Sequence, residues 1–132
     1  MKRGIMAALI GMFACPVFAE TAWISADAFE ARVTGRATDV YFDDGTLQGT
    51  EYFLANRRVI WQTAGETGCY LGSWRARSNH ICFRYEGGFG NCYRYYEDGD
   101  KLVSNDWVAG VQTTTLHRLT IVDKLLPTCS KN

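Results

Sequence analysis

The chain lacks a surplus of either charge, a second long apolar run, and the common catalytic signatures. Its 14 basic residues match 14 acidic ones over 132 positions, and two of the basic ones, Lys2 and Arg3, lie in a segment expected to be removed. That leaves 12 against 14, with no basic surplus to meet a phosphate backbone, so no nucleic-acid partner is expected. The one long apolar stretch, from Ile5 to Phe18, is shorter than the roughly 20 residues a spanning helix requires. No membrane span is expected. There is no G-x-S-x-G elbow, no H-E-x-x-H pair and no P-loop. Gly87-Gly88-Phe89-Gly90 stands between strand-like runs, without the helix N-terminus that a phosphate loop needs. Histidine is confined to His80 and His117, too few for a metal site unless both converge with a carboxylate such as Asp39 or Glu51. Asp43, Asp44, Asp98 and Asp100 serve turns and are not framed as a calcium loop. No cofactor and no metal is expected.

What is present begins with an export signal. Lys2 and Arg3 precede the apolar run, and Val17-Phe18-Ala19 offers a signal-peptidase cut before Glu20. The expected organisation is a signal peptide over 1–19 and a single disulfide-stapled β domain over 20–132, in the periplasm or secreted. A lipoprotein acylated on Cys15 is the weaker alternative, since Met12 replaces the usual leucine and Pro16 follows the cysteine. With Cys15 discarded, Cys69, Cys82, Cys92 and Cys129 form an even set suited to two disulfides in an oxidising compartment. Their gaps of 12, 9 and 36 residues contain no C-x2-C pair for zinc.

One helix is expected at the start. Ser25 can cap it, Asp27 suits the positive end of its dipole, Ile24 can staple against Phe29, and Gly35 is a natural stop. Phe29 and Val33, four apart, give it one narrow apolar stripe that can plug or cover a sheet. After Arg36 the pattern has a period of two. Strands are expected at Val40 to Phe42, Tyr52 to Leu54, Val59 to Trp61, Tyr70 to Trp74, Ile81 to Tyr85, Cys92 to Tyr96, Leu102 to Val103 and Thr113 to Val122. The links Asp43-Asp44-Gly45 and Asp98-Gly99 have hairpin chemistry. The expected fold is therefore mainly β: about eight short antiparallel strands in a small barrel or strongly bent sheet, with one short N-terminal helix. An open sandwich is the alternative.

A tetrapeptide occurs twice, as Cys82-Phe83-Arg84-Tyr85 and Cys92-Tyr93-Arg94-Tyr95. Alternation puts Phe83, Tyr85, Tyr93 and Tyr95 on one face, and Cys82, Arg84, Cys92 and Arg94 on the other. A three-residue loop over 86–88 would set Cys82 opposite Cys92 at bridgeable separation and leave Cys69 to Cys129. A loop centred one or two residues later would break that register, with Cys69 to Cys82 as the main rival.

Two groups are candidate binding residues. Arg84 and Arg94, with Arg75, His80 and Tyr96 nearby, could grip a carboxylate or phosphate, although a solvated face balanced by Glu86, Glu97 and Asp98 accounts for them too. Trp74, Tyr93 and Tyr95, in the opposite phase, could line an apolar cavity or simply form the core.

The stretch from Gly72 to Gly99, with Gly72-Ser73-Trp74, Ile81-Cys82-Phe83-Arg84-Tyr85, Cys92 and the Asp98-Gly99 turn, resembles small exported proteobacterial proteins of a family of unknown function. The resemblance implies a periplasmic β domain built on a tryptophan strand and a cystine hairpin, and no activity. A looser likeness is to lipocalin-like periplasmic protease inhibitors and barrel-shaped lysozyme inhibitors. Three functional expectations follow. The first is a non-enzymatic binding or interaction module for a small apolar or anionic ligand or a periplasmic protein. The second is a hydrolase inhibitor with a rigid loop at 76–79 or 87–91. The third is a small hydrolase using His80 or His117.

Overall fold

The computed structural model describes residues 14–15, 21–108 and 111–129. Ser25 caps the single α-helix, α1 (Ala26–Val33), by accepting from the Ala28 amide at 3.1 Å, and Asp27 occupies its first turn. The helix ends at Thr34, and Gly35 continues in the left-handed region at φ 77°, where a side chain would be strained. Eight strands follow: β1 (Ala37–Phe42), β2 (Leu47–Phe53), β3 (Arg58–Thr63), β4 (Tyr70–Arg77), β5 (His80–Tyr85), β6 (Cys92–Asp98), β7 (Lys101–Val108) and β8 (Val111–Val122). Each pairs antiparallel with the next, and β1 pairs with β8 from Ala37 with Val122 to Phe42 with His117. The sheet thus closes on itself as an up-and-down ring, which removes the free edges of an open sandwich.

Several strands are longer than their apolar runs. β1 begins at Ala37 because Thr38 and Asp39 are buried, and β7 continues through Ser104 and Asn105, which are buried as well. A pattern read from apolar residues stops short where a strand carries polar side chains to an interior or beneath a covering segment.

Successive turns alternate between the two ends of the ring, and α1 closes one of them. Its stripe enters the barrel, with Phe29 and Val33 fully buried. Phe29 stacks on Tyr95 at 4.5 Å and meets Trp74 and Phe53 edge-on at 5.4 and 5.7 Å. Val59, Ile81, Leu102 and Leu119 complete this core. Burying one such large apolar side chain contributes roughly 1.5–3 kcal/mol. The plug is held at its rim by Glu30 with Arg57, Arg32 with Glu97, and the Gly35 amide donating to the Phe53 carbonyl at 2.8 Å. The segment before the helix joins the sheet itself, since Trp23 bridges to Tyr96 and the Ile24 amide donates to the Tyr95 carbonyl at 2.8 Å.

Both disulfides join the expected partners, Cys82 with Cys92 and Cys69 with Cys129. The β5–β6 ladder has two paired positions, Ile81 with Tyr93 and Cys82 with Cys92, so the first bridge staples the shortest seam of the ring. The Tyr85 amide donates to the Phe89 carbonyl at 2.9 Å, as a three-residue loop over 86–88 requires. The second bridge anchors the C-terminal tail. Lys124 reaches Asp39 of β1 at 2.6 Å and Thr50 of β2 at 3.1 Å, and Cys129 ends beside β4, so the tail crosses the outside of β1 to β3. Asp39 and Thr50, joined by a 2.6 Å hydrogen bond, are thereby buried on the outer face. The expected signal segment 1–19 lies outside the described residues except at Ala14 and Cys15.

Candidate binding pocket

Alternation along the strands decides what the open half of the barrel contains. Inward positions there carry Val40 from β1, Glu51 from β2, Trp61 from β3, Phe83 and Tyr85 from β5, Tyr93 from β6 and His117 from β8. Opposite the α1 plug they enclose a cavity of about 260 Å³. The space owes part of its shape to Gly49, where a Cβ would stand 2.5 Å from the Trp61 ring. Glycine there lets the indole lie against β2 and keeps it out of the cavity.

The lining is aromatic with a polar centre. The Tyr85 hydroxyl donates to Glu51, 2.9 Å from each carboxyl oxygen. Glu51 is only 4% exposed, and burial pushes its pKa up to about 8 against the opposing effect of the Tyr85 hydrogen bond. The carboxyl is therefore mainly protonated at neutral pH. Burial likewise raises Tyr93 to about 12 and holds Tyr85 and Tyr95 well above the ordinary phenol value, so all three remain neutral donors. On the neighbouring wall His117 Nδ1 lies 3.1 Å from Asp106 Oδ1, with Phe42 and Tyr93 packed around the imidazole at 5.5 and 6.1 Å. Burial raises the Asp106 carboxyl, and the His117 partner opposes that rise. Among the described residues no lysine or arginine lines the cavity.

The loop over 86–91 forms one lip of the mouth. Phe89 stacks on Tyr85 at 5.0 Å and meets Tyr70 edge-on at 5.1 Å, while the residue stays 44% exposed. A Cβ at Gly90 would collide with the Phe83 carbonyl oxygen, so the loop returns along β5 as bare backbone.

The residues expected from sequence divide between three places. Tyr93 and Tyr95 line the cavity. Trp74 faces inward but lies in the plugged half, against Phe29 on one side and under the Arg57 guanidinium, 4.5 Å from its ring, on the other. Arg84 and Arg94 point away from the cavity; Arg94 covers Trp23 at 4.7 Å, and Arg84 is exposed. His80 stands on the outside, 4.6 Å from the Trp107 ring, and does not approach His117's site. Among the described residues no three of His, Cys, Asp and Glu gather as a metal would require.

Glu51, Trp61, Tyr85 and His117, the last in contact with Asp106, also line the pocket and were not among the expected binding residues, His117 being expected only as a candidate hydrolase residue. One signal for Glu51 exists in the chain. It shares its strand face with Gly49 and Phe53, and a carboxylate in phase with a buried phenylalanine marks either an edge or an interior site. No protein-family model, no curated protein and no solved structure matches the chain.

Proposed function

We propose that this chain is an exported binding protein that holds a small organic ligand inside the barrel, between the α1 plug and the 86–91 loop. The observation that carries the reading is the buried Glu51–Tyr85 pair facing an open cavity. A carboxyl removed from water lowers stability unless its hydrogen bonds are satisfied, and a ligand group entering the cavity would add to the single donor it has. At about 260 Å³ the cavity lies just below the ~300–1,000 Å³ usual for ligand sites, which limits it to a small ligand. With aromatic walls, carboxyl and hydroxyl groups at the centre and no cationic side chain, it suits a compact apolar or aromatic ligand bearing hydrogen-bond donors. An anionic ligand has no counter-charge there. Two disulfides and the N-terminal export pattern support a periplasmic or secreted setting.

Phe89 is part of the pocket mouth, which weighs against the 87–91 loop as the inhibitory element of a hydrolase inhibitor. The hydrolase reading retains one specific support. His117 is oriented by Asp106, and Ser104 stands directly across the β7–β8 ladder from it, so a hydroxyl and a carboxylate-oriented imidazole border the cavity.

Native mass spectrometry of the protein purified from its own host tests the binding reading. The expected result is a two-disulfide protein with a non-covalent adduct lost on activation, and the adduct absent from Glu51→Gln and Trp61→Ala. An unliganded spectrum, together with Trp61 fluorescence indifferent to a panel of small aromatic amines and alcohols, would overturn it. Turnover of an ester or amide panel that disappears in His117→Gln would replace it with the hydrolase.

A further inference from the structure

A second concave site lies on the outside of the barrel, over β4 and β5, and meets the internal cavity at Phe83, Phe89, Gly90 and Asn91, which line both. The outward residues of β4 include Ser73, Arg75 and Arg77, and those of β5 include His80, Cys82 and Arg84; Ser73 pairs with Arg84, Arg75 with Cys82 and Arg77 with His80. With the returning backbone of 88–92, these residues other than His80 line a groove of about 290 Å³. Three guanidinium side chains therefore share one hollow. Arg58 adds a fourth beside it, since Arg58 pairs with Ser73 from the β3 side.

Five other cationic side chains are engaged, whereas Arg36, Arg58 and Lys101 have no ion-pair partner among the described residues. Arg32 pairs with Glu97, Arg57 with Glu30, Arg118 with Asp43 and Lys124 with Asp39, and Arg94 lies over Trp23. Among the described residues Arg75, Arg77 and Arg84 have no ion-pair partner, and no acidic residue lines their groove. Glu86, two positions beyond Arg84 on the same face, lies opposite Leu71 and outside the groove. Three like charges drawn together on a chain with no basic surplus raise the energy of the folded state. An anion accepting from all three would offset that repulsion.

We propose that this groove binds the phosphate group of a soluble small molecule. Arginine is always charged and presents its donors in a planar fork, which matches the oxygens of a tetrahedral dianion. The charge matches a phosphate better than a single carboxylate, and the Ser73 hydroxyl and Asn91 amide supply neutral donors at the margin. Concavity decides the source of the phosphate. A bilayer surface is flat and meets convex faces, whereas a hollow between a β-hairpin loop and a strand receives a single molecule. The site does not depend on the occupant of the barrel.

The test is titration of the disulfide-bonded protein at low salt with inorganic phosphate and with phenyl phosphate, following backbone amide shifts by NMR. Saturable shifts are expected at Ser73, Arg75, Arg77 and Arg84, with the amides of Glu51 and His117 unmoved. Arg75→Gln and Arg84→Gln should each weaken binding about tenfold, the loss of one charge-assisted contact, and Arg84→Lys less. Arg36→Gln, an exposed charge outside the groove, should leave it unchanged. Shifts that never saturate, or that weaken equally in Arg36→Gln, would overturn the site. Binding to phosphatidylglycerol vesicles without affinity for either soluble phosphate would overturn it in favour of a membrane surface.

Discussion

The Tyr85 hydroxyl and the Glu51 carboxyl meet at 2.9 Å inside the barrel and tie β5 to β2 across its interior. Neither strand is hydrogen-bonded to the other in the sheet, so closure of the ring brings these two residues together. The pair also makes the protein sensitive to pH.

Glu51 is raised to about 8 in the folded protein and returns to about 4.5 when unfolded, so the folded state holds the extra proton between those values. Stability from this group is complete below about pH 4.5 and falls as pH rises through about 8, by ~1.4 kcal/mol per unit in between. Urea unfolding at pH 5 and pH 8 should show a larger loss for the native sequence than for Glu51→Gln, which keeps an acceptor for Tyr85 without a titrating proton. Equal pH dependence in the two proteins would contradict this assignment.

The two disulfides close loops of different length, with sequence separations of 10 and 60 residues. Chain entropy assigns about 3 kcal/mol to the Cys82–Cys92 bridge and about 4 kcal/mol to Cys69–Cys129. Replacing Cys69 and Cys129 by serine should lower the urea midpoint more than replacing Cys82 and Cys92. It should also open the tail to proteolysis after Lys124, since the tail's described polar anchors are the Lys124 contacts to Asp39 and Thr50. A tail that stays protease-resistant without its bridge would show that those contacts suffice.

Phe29 is the centre of the plug, fully buried among Phe53, Trp74 and Tyr95. Phe29→Ala should cost about 3–5 kcal/mol and Phe29→Leu less than about 1.5 kcal/mol, measured by denaturant unfolding. If alanine cost no more than leucine, α1 would be a cover resting on the barrel, not a plug within it.

The sequence made the local devices readable. The Ser25 cap, the Phe29–Val33 stripe and the Gly35 stop are all encoded within one helix length, and the helix ends where they indicate. The pairing of Cys82 with Cys92 followed from counting residues around a short loop, because a hairpin register is set by its turn. The outward direction of Arg84 and Arg94 followed from alternation alone. The strand limits of β1 and β7 did not follow, because their buried polar residues break the apolar signal.

The pocket was only half legible. Tyr85, Tyr93 and Tyr95 belong to a visible repeated motif, whereas Glu51, Trp61 and His117 come from β2, β3 and β8 and share no spacing. Arg75, Arg77 and Arg84 likewise become one groove only when the β4–β5 register is known.

By itself the sequence determined the helix, the alternating faces of the strands and the cystine hairpin, since each rests on contacts between residues close along the chain. The tertiary structure alone decided that β1 meets β8, that α1 fills one end of the ring, and that a carboxyl, a histidine and six aromatic rings share the other. Those facts depend on how the ring closes and how far its strands are staggered, and both are fixed by pairings between residues distant in the chain.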